Sequence, residues 1–157
     1  MPGAETIVIL IRTALLTLND AVQTGNFTVL RDVAAPGFRD ANTAARLSQV
    51  FSDLAQQGFD FSSVATIAPQ LAETPTIDPK TNMLRVKGWF PAQPMQINFG
   101  LLFQSVGGRW RLFGISVNPS VPKAPVAAAA SPQAAGGAPA AAEKAPSASR
   151  SVKKKAP

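Results

Sequence analysis

The stretch INFGLLFQSVGGRWRLFGISVNP, residues 97–119, decides the fold because it predicts a complete β-hairpin. Two apolar strands flank Gly107-Gly108, a pair typical of a two-residue type I′ turn. That turn would pair Val106 with Arg109 and Ser105 with Trp110. A three-residue loop with a bulge would instead slip the register by one residue and exchange the faces of the second strand.

Both faces of this hairpin are apolar over part of their length. In the two-residue register one face carries Ile97, Phe99, Leu101, Phe103, Trp110 and Leu112. The opposite face carries Leu102, Phe113, Ile115 and Val117 toward its open end. Helices can cover one face, and a second subunit is the simplest cover for the other. We therefore predict a homodimer whose interface contains Leu102, Phe113, Ile115 and Val117.

Upstream of the hairpin, the spacing of apolar residues changes once. Spacings of three and four predict helices over 5–24, 27–35 and 43–57, the last with Leu47, Val50, Phe51 and Leu54 on its core face. After Gly58 the period becomes two, which predicts a strand over 59–69, a weaker edge element over 70–78 and a strand over 82–90. The predicted fold class is α+β, with three N-terminal helices packed on a curved antiparallel sheet.

The chain divides into a folded domain, residues 1–119, and a tail, residues 120–157, rich in Ala, Pro and Lys. The domain has nine Lys and Arg against eight Asp and Glu, and the tail has six against one. With little apolar surface to bury, the tail is predicted to be disordered. Its basic cluster is Arg150, Lys153, Lys154 and Lys155. A solubilising or tethering role is the favoured interpretation of this tail, and weak attachment of the cluster to nucleic acid or an anionic surface is the alternative.

The composition removes most catalytic chemistry. The chain has no Cys, no His and no Tyr, so thiolate sites, Ser-His or Cys-His nucleophiles and phenolic oxyanion donors are excluded. Only Asp, Glu and Lys remain for acid–base work. We expect no metal and no cofactor.

No transmembrane segment is expected, because the apolar run at 6–18 contains Arg12 and is shorter than the roughly 20 residues of a membrane span. The residues before it, MPGAE, lack the basic region of a signal peptide. The sequence as written therefore predicts a cytoplasmic protein. A start further upstream would leave room for an export signal.

The order of these elements, together with the terminal strand GGRWRLFGISV, resembles the nuclear transport factor 2-like (NTF2-like, cystatin-like α+β cone) superfamily over about residues 5–118. The chain looks most similar to small, uncharacterised bacterial members, which are often exported. The resemblance implies a cone-shaped cavity between helices and sheet, and dimerisation through the outer face of the sheet. A ligand pocket in that cone would be lined by Trp89, Trp110, Phe99 and Phe51. For the two tryptophans, core or rim packing is the favoured role and the pocket is the alternative.

Superfamily enzymes such as ketosteroid isomerase and scytalone dehydratase use Tyr, Asp and His, so their catalytic sets cannot be transferred to this chain. An Asp-Arg-Asp set, as in limonene epoxide hydrolase, has its sources in Asp20, Arg39, Asp40 and Asp53. The composition favours a non-catalytic binding or scaffold module, dimeric and holding a small apolar ligand. An Asp/Arg-based hydrolase or isomerase and a tail-attached module are the alternatives.

Overall fold

The computed structural model describes residues 1–121, and the predicted tail from residue 122 onward, including its basic cluster, lies outside the described residues. The described part is α+β, with helices first and an antiparallel sheet after them. The α-helices are α1 (Ala4–Thr24), α2 (Thr28–Val33), α3 (Pro36–Ala41), α4 (Ala44–Val50) and α5 (Ser52–Gln56). The strands are β1 (Gln70–Leu71), β2 (Thr76–Ile77), β3 (Met83–Phe90), β4 (Gln96–Val106) and β5 (Arg109–Ser120).

The prediction of three helices is wrong, since the structure has five α-helices before the sheet. Pro36 begins α3, a helix that was not predicted, and its fixed φ suits the first helical position. The third predicted helix is broken at Phe51, whose backbone (φ −102°, ψ 14°) leaves the helical region. The Phe51 ring is buried and stacks on Phe27, with centroids 6.0 Å apart. Val50, predicted to lie on the core face of that helix, is exposed.

The sheet is antiparallel, with β5 at one edge and the strand order β1-β3-β4-β5. The two short strands β1 and β2 both pair with β3, opposite its two ends, and together form the other edge.

The predicted strand over 59–69 is wrong, because this segment forms a 3₁₀ turn, Ser62–Ala65. The Asp60 carboxylate accepts the Ser62 backbone N–H at 2.9 Å, a local bond that competes with an extended strand.

The hairpin forms with the predicted two-residue turn. Val106 pairs with Arg109 and Ser105 with Trp110, and Gly107 and Gly108 have φ of 58° and 78°. Five residues from the turn, the register shifts: Phe103 pairs with Leu112 but Leu102 pairs with Gly114. Phe113 is the extra residue of a β-bulge. Each residue of β5 beyond Phe113 therefore lies on the face of the sheet opposite to the one predicted from the turn.

The hydrophobic core lies between α1 and the inner face of the sheet. It joins buried residues of α1 with the alternate residues of β3 and β4 that point inward. The members with the lowest exposure include Ile11, Leu15, Leu18, Leu84, Val86, Phe90, Ile97 and Leu101. These side chains fill the space between α1 and the inner face of the sheet. Room for a ligand is found at the end of the sheet, beside β5.

Candidate functional site

A groove of about 410 Å³ lies between the short helices and β5, and we call it the helix–strand groove. One wall comes from the end of α4 and from α5, and the other comes from the last residues of β5. Its main apolar lining consists of Val50, Phe51, Leu54, Met95, Ile115 and Val117. Its polar lining includes Asp53, Gln57 and Asn118. The groove therefore presents both apolar and polar surface, and Asp53 is the single carboxylate among its described lining residues.

The bulge at Phe113 puts two apolar side chains into this groove. Beyond the bulge, Ile115 pairs with Leu101 and Val117 pairs with Phe99, and both partners are buried on the inner face. Side chains of paired residues point to the same face, so Ile115 and Val117 turn toward the helices. Without the extra residue, Gly114 and Ser116 would occupy these places.

Contacts with the helices hold the bulge in place. The Ala35 backbone N–H donates to the Leu112 carbonyl oxygen at 2.7 Å, just before the bulge. The Phe113 ring packs on α3 at Gly37, where a Cβ would lie 2.8 Å from a ring carbon. Because glycine leaves that space open, the ring can lie against the helix backbone. The connection between α2 and α3 therefore fixes the part of β5 that lines the groove.

The electrostatics of the groove depend on Asp53. This residue is exposed, and within residues 1–121 its carboxylate has no ion-pair or hydrogen-bond partner. None of the described lining residues is Lys or Arg. Its carboxylate is the formally charged group among those lining residues. Apart from this charge, the lining is neutral.

A second groove of about 260 Å³ adjoins the first and shares Gln57 and Met95 with it. Asp60 lines this second groove. The bond from the Ser62 backbone N–H lowers the pKa of Asp60 below its usual value, and bonds from the side chains of Ser62 and Asn19 act in the same direction. Asp60 therefore stays ionised to lower pH than an ordinary aspartate. The two adjoining grooves contain two carboxylates, and none of their described lining residues is cationic.

The four aromatic residues predicted to share a pocket lie in different places. Trp89 is half-buried on the outer face, paired with Asn98. Trp110 packs partly buried against the core, beside Leu10 and Val33. Phe99 is buried, with its ring centroid 5.5 Å from that of Phe90. Of the four, Phe51 alone is among the described lining residues of the helix–strand groove.

The candidate catalytic residues are not gathered around this groove. Asp20 is exposed on α1, and Arg39 and Asp40 are neighbours on α3. None of these three is among the described lining residues, whereas Asp53, the fourth source of an Asp-Arg-Asp set, is. Among residues 1–121 there is also no group of three or more acidic, His or Cys side chains placed to hold a metal ion.

The predicted dimer face is divided by the bulge, and its assignment to one face of the sheet is wrong. Leu102 stays on the outer face, where it packs over Gly114. Phe113 lies against α3, and Ile115 and Val117 face the groove. The outer face contains a shallow depression of about 270 Å³ around Leu102, Gly100 and Gly114.

Sequence reasoning missed Met95, Asn19 and the exposure of Val50. Met95 follows a loop with two prolines, a pattern that predicts a turn but not the direction of its side chain. Asn19 stands between the buried Leu18 and the exposed Asp20 on α1, and it is the only buried polar or charged residue in the described part. A polar residue at the border of an apolar helical stripe is the signal that could have identified it.

Comparison with protein-family models, with curated protein sequences and with solved structures found no match. None of the described helices has both the length and the apolar character that a membrane span requires.

Proposed function

We propose that this chain is a non-catalytic binding module of the NTF2-like type, and that it holds a small apolar ligand in the helix–strand groove. The observation that carries the proposal is the groove itself: about 410 Å³, with apolar side chains from helix and strand on facing walls. Ligand pockets typically measure about 300–1,000 Å³ and combine an apolar lining with a few polar groups. Val50, 61% exposed at this groove, presents apolar surface that a ligand would cover.

Two features favour binding over catalysis. The chain has no His, Cys or Tyr, which are common bases, nucleophiles and phenolic donors. The groove also brings together only one of the four residues that an Asp-Arg-Asp set would draw on. A single aspartate in this groove can orient a ligand, but it lacks a second group to exchange protons with.

Binding of the neutral fluorescent probe N-phenyl-1-naphthylamine tests this proposal. We expect saturable binding by the full chain and about tenfold weaker binding by Val50→Glu, a loss of about 1.4 kcal/mol, because a charge enters the apolar groove. Val29→Glu is the matched control, since Val29 is 58% exposed on α2 and Val50 is 61% exposed. Fluorescence titration measures both. Absence of saturable binding, or equal losses in both variants, would contradict the proposal.

We also propose that two copies of the chain meet through the outer face of the sheet. Leu102 is half-buried there, beside a depression with Gly100 and Gly114 in its floor. Arg85 and Lys87 border the same depression. The Lys87 Nζ atom lies 3.7 Å from the Glu73 Oε1 atom, in a salt bridge. Together they form an apolar centre with a charged rim, the arrangement typical of subunit interfaces.

Leu102→Glu is expected to weaken this self-association at least tenfold, which corresponds to about 1.4 kcal/mol. The introduced carboxylate would be buried against the second copy without a partner. Sedimentation equilibrium over a range of concentrations measures the change, with Val29→Glu on α2 as the control. A wild-type chain that stays monomeric at every concentration, or a Leu102→Glu chain that associates unchanged, would remove the dimer from this proposal.

A further inference from the structure

We propose that the ligand of the helix–strand groove is an apolar molecule with a cationic amine at one end, and this inference rests on the proposed function. The Asp53 carboxylate is the charge in the groove, and within residues 1–121 it has no partner of its own. A ligand ammonium would supply that partner. The apolar part of the ligand would lie along the β5 wall.

The position of Asp53 allows one ligand to reach both kinds of lining. Asp53 and Gln57 are four residues apart, at the start of α5 and just after its end, so their side chains lie on the same side. Both line the groove, opposite Ile115 and Val117 of β5. An ammonium at Asp53 could also donate to the side-chain oxygen of Gln57. Its hydrocarbon chain would then contact Met95, Ile115 and Val117.

The charge of the surroundings favours a cationic head group over the others. No Lys or Arg is among the described residues that line either adjoining groove. A carboxylate or phosphate ligand would bring its charge close to Asp53 without a cation to compensate. A neutral head group such as a hydroxyl can donate a hydrogen bond to Asp53 but leaves the negative charge without a counter-charge. An ammonium ion compensates the charge and donates the hydrogen bonds.

Asp60 adds to the negative electrostatic potential near the groove, but it is not the group that contacts the ligand ammonium. Its carboxylate already accepts the Ser62 backbone N–H at 2.9 Å and a bond from the Asn19 side chain. It also lines the neighbouring groove rather than the helix–strand groove. Asp60 therefore adds to the attraction of a cation at longer range, and Asp53 provides the direct pair.

Three probes with the same ten-carbon chain test the inference: decylamine, decanol and decanoate. Each is titrated at neutral pH against the full chain loaded with N-phenyl-1-naphthylamine, with the two charged probes below their micelle concentrations and decanol below its solubility limit. We expect decylamine to displace the probe at a concentration at least tenfold lower than decanol requires, and decanoate to be the weakest. Raising the salt concentration should reduce the advantage of the amine and leave decanol unchanged.

Asp53→Asn separates the role of charge from the role of shape. We expect this variant to bind decylamine about tenfold more weakly and decanol as before. Glu5→Gln is the matched control: it removes one negative charge from the exposed first turn of α1 and should change neither affinity. Equal affinities for the three probes, or an unchanged decylamine affinity in Asp53→Asn, would overturn the inference and leave the proposed function standing. Failure of the chain to bind any of the probes would overturn both.

Discussion

Gly88→Ala is expected to destabilise the domain by about 2–4 kcal/mol, the range of severe overpacking combined with lost strand pairing. Gly88 is buried in β3, where it pairs with Leu71 of β1 and with Phe99 of β4. A Cβ on Gly88 would lie 2.1 Å from the Gln70 carbonyl oxygen and 2.9 Å from the Phe99 ring. The first neighbour is backbone, so the clash can be relieved only by moving β1 away from the sheet.

Urea unfolding followed by tryptophan fluorescence measures this change, since Trp89 lies one residue from the substitution. The unfolding midpoint should fall while the dependence on urea stays the same. Gly3→Ala is the matched control, because a Cβ there meets nothing within 4 Å. We expect the control to stay within about 0.5 kcal/mol of the wild type. A Gly88→Ala chain that is as stable as the control would mean that β1 can shift without cost.

The hairpin could be predicted from the sequence because its information is local. Gly107 and Gly108 fix a two-residue turn, and the turn fixes the pairs next to it. The bulge could not be predicted, because it depends on contacts with residues far away in the chain. Leu112 accepts a hydrogen bond from Ala35, and the Phe113 ring rests on Gly37, about 75 residues earlier. The faces of Ile115 and Val117 follow from those contacts and not from the alternation of the strand.

The groove could be predicted only in part, for the same reason. The pattern of residues 43–57 indicates a helical region, but the break at Phe51 depends on a buried stack with Phe27. That break exposes Val50 and places Asp53 at the start of a new helix. The family resemblance implies Asp53 as one of four sources of an Asp-Arg-Asp set. Its position opposite Val117 is a property of the tertiary structure alone.

The predicted strand at residues 59–69 was wrong for a reason that leads to a specific buried contact. Asn19 is 5% exposed, and its side-chain oxygen accepts the Phe61 backbone N–H at 3.0 Å. Its side chain also bonds to the Asp60 carboxylate. These bonds fix the segment to α1 and place the Phe61 ring, which has no exposed surface, in the core. The alternating pattern of this segment therefore reflects an anchor to a helix rather than a strand.

Asn19→Leu is expected to destabilise the domain by about 1–3 kcal/mol, because leucine cannot accept the Phe61 N–H and that donor is left buried without a partner. Amide hydrogen exchange at Phe61 should accelerate more than exchange in the centre of β4. Gln23→Leu is the matched control, since Gln23 also joins α1 to this segment, through a 3.0 Å bond to the Phe59 carbonyl, but at the surface. An exposed bond of this kind contributes about 0.5–1.5 kcal/mol or less. If the two variants were equally stable, burial would not be what makes the Asn19 bonds strong, and the segment would be held by packing of Phe61 alone.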